Sequence, residues 1–231
     1  MPLDYPQRRQ NLVYGGKSGF IGYLMIRPPG PWRMYWKTLE GLVLRYDFNQ
    51  CQAIDLSGHG NNGTIYGAQC VEGRSGKALS FDGVDDYVDC GNGESLNITD
   101  EITIIAWINP CSFHSGDIIR KEGAYVVRTD EKGAMYFFLH IGGSWLACYS
   151  SDRYSTNHWE MWAFRYDGTH TKIYKDGSFD KECSITGSID ITTNPLNIGG
   201  CYYYFNGAID EVRIYNRALS EEEIKWLYEH T

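Results

Sequence analysis

Along residues 41–175 apolar and polar positions alternate in short runs, each closed by a turn signal. Gly41–Phe48 alternates around Val43, Arg45 and Asp47, and Lys77–Phe81, Asp86–Cys90 and Ile102–Ile108 follow, with turns at Asp82-Gly83 and Asn92-Gly93. Asp117–Lys121 and Ala124–Arg128 flank Glu122-Gly123; Met135–Ile141 and Trp145–Tyr149 flank Gly142-Gly143. Trp159–Tyr166 and Thr171–Lys175 flank Asp167-Gly168, and Asp176-Gly177 turns the chain again. A period of two sends successive side chains to opposite faces of a strand. Two-residue Asp-Gly and Gly-Gly loops take the turns whose twist suits antiparallel hairpins. The pattern predicts roughly a dozen strands without an intervening helical period, hence an all-β antiparallel two-sheet sandwich or jelly roll.

One helix has a start signal. Ser220 is an N-cap with Glu223 three residues on, the spacing of a capping box. Glu221, Glu222 and Glu223 suit the positive end of the helix dipole, and Ile224, Leu227 and Tyr228 form one apolar face that predicts docking on a sandwich edge.

Residues 1–39 read differently. Five of the seven prolines lie there among several glycines, which works against regular structure. Yet Tyr5, Tyr14, Phe20, Tyr23, Trp32, Tyr35 and Trp36 supply seven large rings. The segment holds six basic side chains, including Arg27 and Arg33, against Asp4 alone; residues 40–231 hold fifteen basic and twenty-eight acidic ones. The division is therefore an extended, basic, aromatic N-terminal arm (1–39) and an acidic sandwich (40–231). A short strand is expected around Phe20–Ile26. Trp32, Tyr35, Trp36, Arg27 and Arg33 are the expected anchors of an arm that docks on an acidic surface.

The acidic body argues against general nucleic-acid binding, which needs clustered Lys and Arg. No run of 18 apolar residues is present, and the first 30 residues lack the apolar core of a Sec signal peptide.

Three blocks in order resemble laminin-G-like jelly rolls of the concanavalin A-like superfamily. They are Asp55-Leu-Ser-Gly-His-Gly-Asn-Asn-Gly63 with Gly76-Lys-Ala-Leu-Ser-Phe-Asp-Gly83 and Asp86-Tyr-Val88; Ile102-Thr-Ile-Ile-Ala-Trp-Ile108; and the stretch from Phe205 to Ser220. The resemblance covers about residues 40–231 and implies two curved antiparallel sheets, with Trp107 pointing inward from the central strand. It further implies a binding module for glycans or proteins, often with a structural calcium ion.

Calcium takes six to eight oxygens. Asp47, Asp55, Asn62 and Asp210 are the candidate ligands; the alternative is that Asp55 and Asn62 form Asx turns and Asp210 caps a bulge. Glycan binding uses exposed rings with nearby polar groups, and Tyr202, Tyr204, Trp145 and Tyr154 are the candidates, with a Tyr-lined subunit contact as the alternative. Seven cysteines stand at 51, 70, 90, 111, 148, 183 and 201 without zinc spacing. Cys51 and Cys70 flank a Gly/Asn-rich loop and form the candidate disulfide; buried free thiols are the alternative for the others. No catalytic signature is present: no Glu-x-Asp-x-x-Glu strand, no Gly-x-Ser-x-Gly, no His-Glu-x-x-His and no Walker loop. Asp210 and Glu211 are adjacent and are expected on opposite faces of their strand.

The expectation is a non-catalytic structural or recognition protein, extracellular or on a particle surface. Its arm would join copies of itself or another particle subunit, as in a virion lattice. A stand-alone carbohydrate-binding or adhesion module is the alternative. An accessory domain of a glycoside hydrolase sits poorly with a chain that starts at Met1 and ends in a docked helix.

Overall fold

The computed structural model describes residues 31–231, with side chains from Met34 onward. The strand expected at Phe20–Ile26 and the anchor Arg27 lie outside the described residues, as do the side chains of Trp32 and Arg33. The end of the arm is not extended: Pro31–Lys37 forms a helix, α1. Proline is well placed at a first helical position, where its missing N–H is not needed and its fixed φ suits the helix.

The strands follow as β1 (Leu42–Tyr46), β2 (Thr64–Tyr66), β3 (Gln69–Glu72), β4 (Lys77–Asp82), β5 (Tyr87–Asp89) and β6 (Ile102–Pro110). The hairpins come next: β7 (Asp117–Lys121) with β8 (Tyr125–Thr129), and β9 (Met135–Ile141) with β10 (Ser144–Tyr149). After β11 (Glu160–Tyr166), β12 (His170–Lys175) and β13 (Ser178–Ser184), β14 (Leu196–Ile198) and β15 (Asn206–Tyr215) lead to α2 (Glu221–Glu229). One sheet has eight strands in the order β13-β12-β11-β6-β15-β4-β3, with β1 also on β15; the other has seven, β10-β9-β8-β7-β14-β5-β2. The pairings are antiparallel throughout.

The inward faces meet in one core, including Ile104, Ala106 and Ile108 of β6, Phe137 and Leu139 of β9, Trp162 and Phe164 of β11, and Ile209, Val212 and Ile214 of β15. Trp107 corrects an expectation. With Ile104, Ala106 and Ile108 inside, alternation turns Trp107 and Ile105 outward, where they join a second cluster with Met161, Leu219, Ile224 and Leu227. Because α2 covers that face, β6 is buried on both sides and reads as an unbroken apolar run.

The α2 cap forms as the spacing predicts. Ser220 Oγ accepts from the Glu223 N–H (3.3 Å), and the Glu223 carboxylate accepts from the Ser220 N–H (2.7 Å). That carboxylate also binds Arg217 at 2.7 Å and Lys37 at 3.4 Å. Burial pushes its pKa up, but the Arg217 hydrogen bond, the Ser220 N–H and the two cations outweigh it and leave it below the usual range. Arg217 further donates to the carbonyls of Lys37 and Glu40, and Tyr35 meets Trp226 edge-on. The last turns of the arm thus dock on the chain's own α2.

Candidate functional site

Sheet alternation builds an aromatic surface on the outer face of the seven-stranded sheet. In β9, Met135, Phe137 and Leu139 enter the core, so Tyr136, Phe138 and His140 face out. Across the β9–β10 pair, Tyr149 lies opposite Tyr136, Ala147 opposite Phe138 and Trp145 opposite His140. Trp145 packs edge-on to His140 and Phe138, while Tyr136 stacks with Phe138. Tyr149 is 57% exposed and Trp145 38%. His140 is held from behind: its Nδ1 lies 2.8 Å from Asp190, which also accepts the N–H groups of Gly142 and Gly143. Those bonds, the Gly143 N–H foremost, hold the Asp190 carboxyl below its ordinary pKa.

The same face continues inward as a charged centre. Arg128 lies opposite Tyr136, and Asp117 opposite Arg128. The Asp117 carboxylate, fully buried, accepts from Arg120 Nε at 2.9 Å and Arg128 Nε at 2.7 Å; Arg120 also reaches Glu122 at 2.7 Å. The loop after β14 lies over this pair. The Tyr203 carbonyl accepts from the Asp117 N–H, the Tyr203 ring sits 3.9 Å from the Arg128 guanidinium carbon, and Tyr202 sits 4.9 Å from that of Arg120. Rings, two guanidiniums and a fixed carboxylate therefore share one face. The sequence signal for it was the phase of Met135–Ile141, where aromatic residues fall on both faces.

Among the candidate ring residues, Trp145 and Tyr202 belong to this face. Tyr154 does not: it is 2% exposed, its hydroxyl donating to the Asp130 carbonyl (2.8 Å) and accepting from the His114 N–H (3.1 Å). Tyr204 is only partly exposed and lies against Gly200, whereas Tyr203 is 46% exposed. The run 202–204 lies outside any strand, with a bend over 201–203, so alternation does not choose which rings face water.

Of the candidate calcium ligands, Asp55 and Asn62 lie together in one loop. Asp55 Oδ1 accepts from the N–H groups of Arg45 and Ser57, and Oδ2 from Ser57 Oγ and the Asn61 N–H. Asn62 Oδ1 accepts from the Asp55 N–H, and Asp47 Oδ1 from that of Asn49. Asp210, fully buried, accepts from Glu211 and Ser75 N–H groups at 2.7 and 3.1 Å. These oxygens are engaged by N–H and O–H donors of the protein itself. Among the described residues, the acids whose oxygens converge are Asp82, Asp85 and Asp86. Asp210 and Glu211 are both buried rather than split between two faces, because β15 gains a residue against β6 between 210 and 213, with Glu211 at φ 47°.

Cys51 and Cys70 form a disulfide with Cα atoms 5.4 Å apart, and a second, not foreseen, joins Cys148 to Cys183 at 5.8 Å. Cys90, Cys111 and Cys201 are free thiols. Burial pushes the Cys90 thiol up to about 12. Among the described residues no helix is long and apolar enough to cross a membrane.

The fold has many solved counterparts, though no curated protein sequence matches the chain. The binding domain of Paraclostridial Mosquitocidal Protein 1 superposes with a TM-score of 0.72 at 19% identity, over 83% of this chain and 52% of that one. The receptor binding domain of a botulinum neurotoxin C/D mosaic serotype gives 0.70 at 16%, over 84% and 52%. The chain thus spans about half the length of each of these domains. Domain 4 of AbnA, an extracellular GH43 arabinanase from Geobacillus stearothermophilus solved with arabinotriose, gives 0.67 at 20%, over 81% of this chain and 98% of that one. These likenesses establish the fold. In sequence, residues 82–225 match the laminin-G model of the concanavalin A-like lectin/glucanases superfamily. With most of its length matched and a two-sheet antiparallel sandwich to go with it, the chain belongs to that superfamily as a laminin-G-type jelly roll.

Proposed function

We propose that the protein is a non-catalytic recognition module that binds glycans on the outer face of its seven-stranded sheet. The carrying observation is the continuous surface from Trp145 and Tyr149 through Tyr136 and Phe138 to the Arg128–Tyr203 and Arg120–Tyr202 pairs. Flat rings offer stacking area to sugar faces, while guanidinium and carboxylate edges supply hydrogen bonds that fix orientation. The arabinotriose-bound counterpart, which matches over nearly its whole length, supports the ligand class. Two disulfides favour an extracellular setting, since such bonds persist in oxidising compartments.

A glycan array identifies the ligand, and titration of the best hit measures the site. Trp145→Ala and Tyr149→Ala, both at exposed positions, should each weaken binding about tenfold, or about 1.4 kcal/mol. Absence of any glycan ligand, or unchanged affinity in both variants, would overturn the reading.

A second reading, assembly through the arm, is favoured by the charge contrast between residues 1–39 and the body and by Trp36, 55% exposed on the docked α1. Because α1 docks on its own α2, the reach to a neighbour falls to residues 1–30. Sedimentation of the full chain against one starting at Pro31 tests it: the full chain should self-associate in a salt-sensitive manner and the shortened chain should not.

A further inference from the structure

On the opposite side of the sandwich, the outward Trp107 opens onto a cleft of about 340 Å³. Its floor is β6, one wall is the turn between β3 and β4 with Arg74, and another is Tyr228 of α2. Asn157, His158 and Trp159, leading into β11, close the remaining side. This size lies at the lower end of small-molecule sites, roughly 300–1,000 Å³.

One of its polar groups is unusual. The indole N–H of Trp107 is buried and finds no acceptor among the described residues. The Arg74 guanidinium stacks on the Trp107 ring at 4.5 Å and forms no ion pair or hydrogen bond with any described residue. The side chains of Asn109, Asn157 and His158 likewise have no hydrogen-bond partner there. Buried polar groups are ordinarily satisfied, and a buried donor left unpaired costs about 1–3 kcal/mol. Here the buried Trp107 donor is left unpaired at the cavity, and the exposed Arg74 guanidinium and the Asn109 and Asn157 amides stand beside it without a partner among the described residues.

The arrangement is also held in place. Asp210 sits beneath the β3–β4 turn and accepts the Ser75 N–H, and Gly73 lies so close to this carboxylate that a Cβ there would come within 2.6 Å. The turn that carries Arg74 is thereby fixed beside Trp107. Across the cleft, the Asn157 N–H donates to the Pro110 carbonyl at 2.7 Å, and Tyr228 stacks on Trp107 with ring centroids 5.6 Å apart.

We propose that this cleft binds the carboxylate-bearing ring of an acidic saccharide. Among the described residues the lining contains no carboxylate and Arg74 has no counter-ion, in a protein of net charge −8. A guanidinium stacked on an indole still presents its planar N–H edge, the geometry that grips a carboxylate with two parallel bonds. Trp159 and Tyr228 supply flat apolar surface for the ring, and the two amides suit hydroxyls. Residues 1–30 of the same chain make a poor occupant, because four basic side chains against one acid give them the charge of Arg74. This site is separate from the aromatic sheet face and stands without it.

The test is a titration of the full ¹⁵N-labelled chain with a galacturonic acid trimer, the neutral galactose trimer and inorganic phosphate. It is read at the Trp107 indole N–H resonance, assigned by its loss in Trp107→Phe. The uronate should shift that resonance and bind at least tenfold more tightly than the neutral trimer, phosphate should neither shift it nor compete, and Arg74→Ala should weaken uronate binding at least tenfold. Equal binding of the neutral trimer, full competition by phosphate, an unmoved Trp107 resonance, or unchanged affinity in a folded Arg74→Ala protein would each overturn the proposal.

Discussion

Single carboxylates in this protein do structural work that the sequence marks only as acidity. Burial, helped by the Glu211 charge, pushes Asp210 up to about 7, although the N–H groups of Ser75, Glu211 and Arg74 pull the other way. A carboxyl whose pKa is higher folded than unfolded contributes stability that is full below about 4 and lost as pH rises to about 7. The loss is bounded by about 4 kcal/mol, at 1.36 kcal/mol for each pKa unit. Urea unfolding at pH 4, 5.5 and 7 should therefore show declining stability, and Asp210→Asn should remove that part of the slope. The amide keeps only one acceptor for several N–H donors, so the variant should also lose about 1–3 kcal/mol at pH 4. Asp55 behaves differently, since its carboxylate accepts four bonds from within the chain. Asp55→Asn should cost about 1–3 kcal/mol in calcium-free buffer. A thermal midpoint that rises with calcium in the parent chain but not in this variant would return the residue to metal ligation. Residue roles were the least legible level. Asp117 gives no sign in sequence that two arginines from different strand positions will converge on it, and Tyr154 looks like any other loop tyrosine until the core closes over it.

Elements were read well where hairpins and periodicity agree, as at β7–β8, β9–β10 and β11–β12. The strands that escaped, β2, β3, β13 and β14, are short or lie at sheet edges. At β3 and β13 polar residues occupy both faces, so no alternation betrays them. Glu211 shows the reverse case: the pattern Ile209, Val212, Ile214 breaks a strict period of two, and the extra residue at the bulge is what restores all three to the core. At α2 the capping box was visible because capping is a local rule. Ser220→Ala should destabilise the protein by about 1 kcal/mol, seen as a lower denaturation midpoint with the m-value unchanged. The docking of α1 on α2 was not visible, because Arg217 and Glu223 meet Lys37 only once the chain has returned to its start.

At the scale of the whole molecule, the fold class followed from the count and spacing of hairpins, but the way the two sheets are fastened did not, since disulfide pairing is not written in spacing. Cys148 lies on β10 and Cys183 on β13, the edge strands of the two sheets on one flank. On the other flank β2 and β3, again edge strands of the two sheets, follow each other across Gly67 and Ala68. A closed circuit thus runs through the hydrogen-bonded ladder from β3 across the eight-stranded sheet to β13, through the disulfide to β10, and back across the other sheet's ladder to β2, where the chain itself leads on to β3. Replacing Cys148 and Cys183 with serine should cost about 2–4 kcal/mol. The geometric consequence is larger than that figure. Joined on both flanks, the sandwich is a sleeve rather than a clamshell: it has two open mouths and no side that gapes. Foreign strands cannot prise it apart laterally until the sulfur bond is cut, and a reduced chain should begin to polymerise from the β10 and β13 side.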